Sequence, residues 1–347
     1  MPKKAANIIK YTLSAVLAAV LVYFAFRGVD WQAFREGLRQ TRWTYVALYF
    51  IVALLALVFR EERWSALIRP LDPQVRRLHV WDSINVGNII NIVLPGAGEF
   101  ARCGYVSSRR MGYDKALGTI ACERLCDVVA VAVLLFAAMI LQRERFGAFF
   151  LENIWTPMAG RLGGALVWLA AGAVLLFAAA CWAVLHFRSR VPLFARIADG
   201  LRGLGAGFAS VARLENKGTF LLSTVGIWTM YILMFWCTLR ALPALDGLNM
   251  TDALFLSAVG NIASVIPVPG GIGAYHYLVA LSLQSLYGLD WDSGILVATL
   301  GHEAHAILII VIGVISYLRL SVIPRPASPA ADSRTAAGRP GRRKKDL

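Results

Sequence analysis

Charge is scarce in this chain. Charged residues make up 16% of the sequence and hydrophobic ones 58%, against roughly a quarter and a half in a soluble domain. That excludes an ordinary water-soluble globule, and the mean hydropathy of +0.61 puts most of the chain in lipid. Cysteine is also sparse. The five are Cys103, Cys122, Cys126, Cys181 and Cys237, with no ligand spacing, which argues against a disulfide scaffold or a zinc module. Cys122 and Cys126 share a helix face and read as reduced packing residues. The zinc-protease pattern HExxH is missing too: His302, Glu303 and His305 are followed by Ala306 where the second histidine is needed. A metal would need a further ligand from elsewhere, with His276 as the candidate, so no metal and no cofactor are expected. A small-x-small cleavage site is absent after the first apolar run, so Ile8 to Phe26, preceded by Lys3 and Lys4, reads as an uncleaved span.

Acidic residues are few, 21 against 35 Lys and Arg, giving a net charge of +14. In a soluble protein this excess suggests nucleic acid; in a membrane protein it is first a topological signal. Full spans are expected at 8–26, 44–59, 116–141, 165–187, 219–239 and 295–318. Trp31, Phe34 and Leu38 mark a short interfacial helix, and residues 188–217 a helix lying on the membrane surface. Span 44–59 either continues through Ala66, Leu67 and Ile68 or is cut at Arg60. With both termini cytoplasmic, 26 of the 35 basic residues fall inside, 8 outside, and Arg124 in the membrane. That split accounts for the positive charge without nucleic acid, which is not expected as a partner. The transmembrane domain is expected over 1–320, and a disordered basic cytoplasmic tail over 321–347, ending in RPGRRKKDL.

Two segments are too short to cross. Trp81 to Leu94 runs into Pro95-Gly96, and Ala253 to Ile266 runs into Pro269-Gly270-Gly271. Each arm would be about 21 Å as a helix, against a roughly 30 Å hydrocarbon core. The return arms are Phe100 to Gly112 and Ala274 to Tyr287, so re-entrant hairpins are expected over 81–112 and 253–287. Irregular backbone at that depth survives only where protein or a wet cavity satisfies it. Both segments follow a Gly-Asn pair (Gly87-Asn88, Gly260-Asn261), and TIACE at 119–123 answers TLGHE at 299–303. The hairpins enter from opposite faces in the expected topology. The fold class is therefore an all-α polytopic membrane protein, six full spans plus two re-entrant hairpins in an inverted repeat, an architecture of secondary transporters.

Ionisable groups in lipid cost roughly 2.5–3.5 kcal/mol each on insertion scales. Glu123 and Asp127 share a helix face, and repulsion demands a cation; Arg102 and Arg124 are the expected ones. Glu99 belongs to the same set. The cluster is either an internal ion-pair network or one that also binds an anionic head group or relays a proton. The breaks at Pro95, Gly98, Pro269, Gly270, Gly271 and Gly273 either turn the chain or face a substrate with free backbone N–H groups. Asn88, Asn91 and Asn261 either cap helices or line the cavity. His302 and Glu303 either pack or take part in protonation-coupled transport.

Three motifs resemble the lysylphosphatidylglycerol synthase transmembrane family, also called flippase-like membrane proteins. They are Asn91…Pro95-x-x-Gly98-Glu99-x-x-Arg102, Glu123-Arg124-x-x-Asp127, and Pro267-x-Pro269-Gly270-Gly271-x-Gly273. The resemblance implies an anionic-lipid transporter of phospholipid or polyprenyl-phosphate type, in the inner membrane of a prokaryote and not an enzyme. An alternative is a membrane-embedded enzyme on a lipid, and another is a non-transporting partner of an envelope-lipid synthesis enzyme. Where the family has Glu, this chain has His276. Without a soluble aminoacyl-transfer segment, the chain is not expected to make lysyl-lipid itself.

Overall fold

The computed structural model describes residues 19–108, 110–151, 216–263, 266 and 268–322, together with 12, 16, 156, 175, 182 and 186. The expected span 165–187, the surface helix 188–217 and the basic tail lie outside the described residues, apart from isolated positions. The first expected span is described from residue 19, where it is helical up to Phe26.

The described residues form helices only. Asp30 opens α1 (Trp31–Arg39), its carboxylate accepting from the backbone N–H of Gln32 at 2.8 Å and Ala33 at 3.2 Å. α2 (Trp43–Ile68) runs straight through Arg60. Nothing breaks it before Pro70, and its buried charges find partners: Glu61 accepts from Ser65 at 2.6 Å and from Arg77. α3 (Arg77–Val93) and α4 (Ala97–Val106) follow, then α5 (Tyr113–Leu141) and α6 (Arg143–Phe150). α7 (Lys217–Ala241), α8 (Met250–Ala263), α9 (Ala274–Tyr287) and α10 (Trp291–Val322) complete the set. Four of them, α2, α5, α7 and α10, are long and apolar enough to cross a membrane.

Between these long helices lie the two broken segments. α3 stops at Leu94, whose backbone is extended, and Gly96 adopts a left-handed φ of 78°. Pro95 has no N–H to continue a helix. The first arm begins four residues earlier than expected, at Arg77, and the second arm ends at Val106. A turn follows there, where Ser108 N–H donates to the Met111 carbonyl at 2.9 Å. At the second break Gly270, Gly271 and Gly273 have φ of 63°, 75° and 83°, conformations that strain any side-chain-bearing residue. At about 26 Å and 15 Å for α3 and α4, and about 21 Å each for α8 and α9, every arm is shorter than a roughly 30 Å hydrocarbon core.

The same pairings occur twice. α3 packs on α4 and α8 on α9; α4 packs on α5 and α9 on α10. Each hairpin's first arm lies against the long helix of the other half, α3 on α10 and α8 on α5, while α2 and α7 pack together at the centre. Close approach within each hairpin is made by matching glycines. A Cβ on Gly98 would sit 1.9 Å from the Gly87 carbonyl oxygen, and one on Gly260 would sit 2.7 Å from the Tyr275 ring. The start of each first arm is clamped alike. Buried Asp82 of α3 accepts from Arg319 at the end of α10. Buried Asp252 of α8 accepts from Arg145, just past α5, at 2.7 Å. The two breaks also meet: a Cβ on Gly270 would lie 3.6 Å from the Ile92 carbonyl oxygen.

Candidate functional site

Three arginines and three carboxylates converge behind the first break. α2 contributes Arg63, α4 contributes Glu99 and Arg102, and α5 contributes Glu123, Arg124 and Asp127. Glu123 and Asp127 project from one face of α5 because they are four residues apart. Arg63, 1% exposed, joins them, with Nε 3.3 Å from Glu123 and Nη1 2.6 Å from Asp127. Arg102 reaches Glu123 and Glu99, each at 2.7 Å. Its guanidinium lies 4.5 Å from the Trp64 ring centroid, and the Trp64 indole N–H is held by Thr119 at 2.9 Å. Arg124 closes the circuit, 3.1 Å from Asp127 and 3.9 Å from Glu99. The expected charges therefore do form one network. Its central cation is Arg63, which the sequence alone assigns to the cytoplasmic segment after span two. Glu123, also 1% exposed, would be very costly there without its two arginines.

Arg60, one turn before Arg63 on α2, is partly buried. It interacts electrostatically with Tyr231, Glu99 and Glu123, and with His305. Among the described residues no carboxylate lies within ion-pair distance of it. Counting Arg60, Arg63, Arg102 and Arg124 against Glu99, Glu123 and Asp127, the group carries one positive charge in excess.

The asparagines divide. Asn91 Oδ1 accepts from the Gly98 N–H at 2.8 Å, so it ties the two arms of the first hairpin together. The Ala97 N–H is likewise taken by the Leu94 carbonyl at 3.0 Å. Two of the N–H groups at this break are thus satisfied internally. Asn261 donates to the Ser257 carbonyl of its own helix at 2.9 Å. Asn88 is buried, and its Nδ2 has no hydrogen-bond partner among the described residues.

Behind the second break lies a smaller cluster. His302 Nε2 is 2.8 Å from the Gly270 carbonyl, and its Nδ1 is 3.0 Å from Glu303. His276 Nε2 is 4.0 Å from the same Glu303 oxygen. Arg102 and His276 are each seven residues past the proline of their break, Pro95 and Pro269, although they fall at different turns of α4 and α9. The Arg102–Glu123 pair of the first half is thus answered by His276–Glu303 in the second. His305, three residues on from His302, is not part of this group; its Nδ1 has no hydrogen-bond partner among the described residues. Pro267 lies outside the described residues.

The family model for the lysylphosphatidylglycerol synthase TM region matches residues 8–313. Comparisons with curated proteins and with solved structures give no match. The match spans most of the chain, including both broken segments and the charged network. The chain belongs to the lysylphosphatidylglycerol synthase TM region family, a family of membrane proteins related to lipid handling.

Proposed function

We propose that this protein is a flippase-like transporter that carries an anionic lipid, of phospholipid or polyprenyl-phosphate type, past two re-entrant hairpins arranged as an inverted repeat. The observation that carries this assignment is Arg60. A partly buried guanidinium with no carboxylate within ion-pair distance among the described residues is expensive in a low-dielectric setting unless a counter-charge arrives. Here it stands beside a network with a positive excess, and a lipid phosphate supplies the missing charge through bidentate hydrogen bonds. The repeated helix pairings support the hairpin architecture, in which broken helices meet near the midplane and one half moves against the other. The protein sits in the inner membrane of a prokaryote with both termini cytoplasmic, and a partner enzyme of envelope-lipid synthesis supplies or consumes its substrate.

A lipid-modifying enzyme is less well supported. Acid–base catalysis needs a carboxylate free to exchange a proton near neutral pH. Glu123 and Asp127 are both engaged by arginines, so neither stands free beside a substrate. The test is reconstitution into proteoliposomes carrying fluorescent lipids with phosphoglycerol or choline head groups. Faster loss of the anionic probe from one leaflet, with no change in its chemical structure, supports transport. Chemical conversion of the lipid, or equal indifference to both probes, contradicts it.

A further inference from the structure

We propose that His276, His302 and Glu303 form a binding site for a divalent transition metal, zinc in the first place, on the wall of the second break. The site is independent of the transport reading. Two histidines and a glutamate are a ligand set that zinc takes with one coordination position left open.

The hydrogen bonding fixes the chemistry. A carbonyl oxygen can only accept, so the 2.8 Å contact between His302 Nε2 and the Gly270 carbonyl requires the proton on Nε2. In the neutral imidazole that leaves a lone pair on Nδ1, which points at the Glu303 carboxylate 3.0 Å away. Two lone pairs facing each other at that distance need a positive particle between them. A proton would serve those two atoms alone. The third group decides for a metal: His276, 1% exposed, brings Nε2 to 4.0 Å from the same Glu303 oxygen. Its Nδ1 is buried with no hydrogen-bond partner among the described residues. One ligand atom from each of the three residues can be chosen so that all lie within 4.8 Å of one another.

The spacing suits closure onto an ion. Zinc holds nitrogen and oxygen ligands at about 2.0–2.2 Å, so tetrahedral neighbours sit roughly 3.3 Å apart. The His302–Glu303 edge is already close to that, His276 has to approach Glu303 by under about 1 Å, and the remaining edge, within 4.8 Å, closes by up to about 1.5 Å. The support around the site is that of a metal centre. The Gly270 carbonyl fixes the tautomer of His302 as an outer-shell acceptor does. Phe26 and Tyr275 wall the imidazoles at ring-centroid distances of 5.3 Å from His276 and 5.5 Å from His302. Glu303, 51% exposed, forms the open side of the site. The absence of an HExxH pattern does not weigh against this, because the third ligand comes from another helix.

The experiment uses the full chain in detergent, stripped with a chelator and then titrated separately with Zn²⁺ and Co²⁺. Metal content is read by mass spectrometry, coordination by the visible spectrum of the cobalt form, and folding by gel filtration and thermal unfolding. One equivalent is expected, with an intense tetrahedral cobalt spectrum and a zinc-dependent rise in the unfolding temperature. His276→Ala, His302→Ala and Glu303→Gln are each expected to weaken binding by at least about tenfold and to remove the spectrum, while His305→Ala leaves both unchanged. Should His276→Ala fail to fold, Glu303→Gln at the exposed edge still tests the site. Absence of metal uptake by the wild type, the outcome if a proton fills the gap, overturns the proposal. So does uptake that survives Glu303→Gln undiminished.

Discussion

Replacing Arg63 with methionine is expected to destabilise the protein through charge rather than through packing. The methionine fills much of the arginine's volume, so little cavity forms. What changes is that Glu123 and Asp127 lose the guanidinium that bridges them, at 3.3 Å and 2.6 Å. Removing one member of a buried ion pair costs about 3–5 kcal/mol. Glu123 keeps Arg102 and Asp127 keeps Arg124, which places Arg63→Met near the lower figure. About 3 kcal/mol is a shift of more than a hundredfold in the ratio of folded to unfolded protein. The assay is reversible unfolding in mixed micelles. The reference is Arg39→Ala, whose partner Glu36 is 56% exposed and lies 3.8 Å away; an exposed pair of this kind contributes within about 1 kcal/mol. A double-mutant cycle adds Asp127→Asn to Arg63→Met, and the coupling between the two should be about 0.5–3 kcal/mol in the favourable sense. If Arg63→Met unfolds no more readily than Arg39→Ala, the buried network does not hold α2 to α5 and the argument from cost fails.

Two further outcomes follow from other parts of the fold. Gly98→Ala is expected to force the first hairpin open, because its Cβ would arrive 1.9 Å from the Gly87 carbonyl oxygen, whereas Gly104→Ala meets nothing within 4 Å; comparing the two by limited proteolysis and thermal unfolding measures the effect. In the loop after α7, Arg42 donates to Asp246 at 2.7 Å through both guanidinium nitrogens. That hydrogen bond holds the Asp246 carboxyl below its ordinary pKa and raises that of Arg42. A depressed carboxyl stabilises the fold above its unfolded pKa, and the contribution is lost as pH falls through the folded one. Arg42→Ala should move the Asp246 titration, followed by carbon NMR, upward toward the model-compound range, and an unchanged titration would show that the pair is not formed.

How much of this was legible in the sequence depended on distance along the chain. The two breaks were, because Pro95-Gly96 and Pro269-Gly270-Gly271 act locally: one residue type removes a donor and the other admits positive φ. The facing of Glu123 and Asp127 was also readable, since helical period alone puts them together. Arg63 was not. Hydropathy falls at Arg60-Glu61-Glu62, so the sequence leaves open whether the helix is cut at Arg60 or runs on to Ile68, and only the partners on α5, remote in sequence, show why it continues. The clamps Arg319–Asp82 and Arg145–Asp252 were hidden for the same reason, as charges near span ends look like loop residues until the helix opposite is known. His302 and His305 misled in the other sense. Their spacing suggested a pair, yet the ring nitrogens of His302 are engaged by Gly270 and Glu303, and the histidine beside it is His276 of α9.

The most direct test of the central claim is the rate at which an anionic lipid moves across proteoliposomes containing Arg60→Ala, Arg60→Lys or the unaltered protein, measured beside thermal unfolding in detergent. Among the described residues Arg60 has no carboxylate to abandon, so Arg60→Ala should leave stability close to the wild type and reduce movement of the anionic lipid by at least about tenfold, the loss of one charge-assisted contact worth about 1.4 kcal/mol or more. Arg60→Lys keeps the charge and loses the bidentate geometry, and should fall between the two. A stable Arg60→Ala protein that moves anionic lipid at the wild-type rate would contradict the assignment of a lipid phosphate to this arginine.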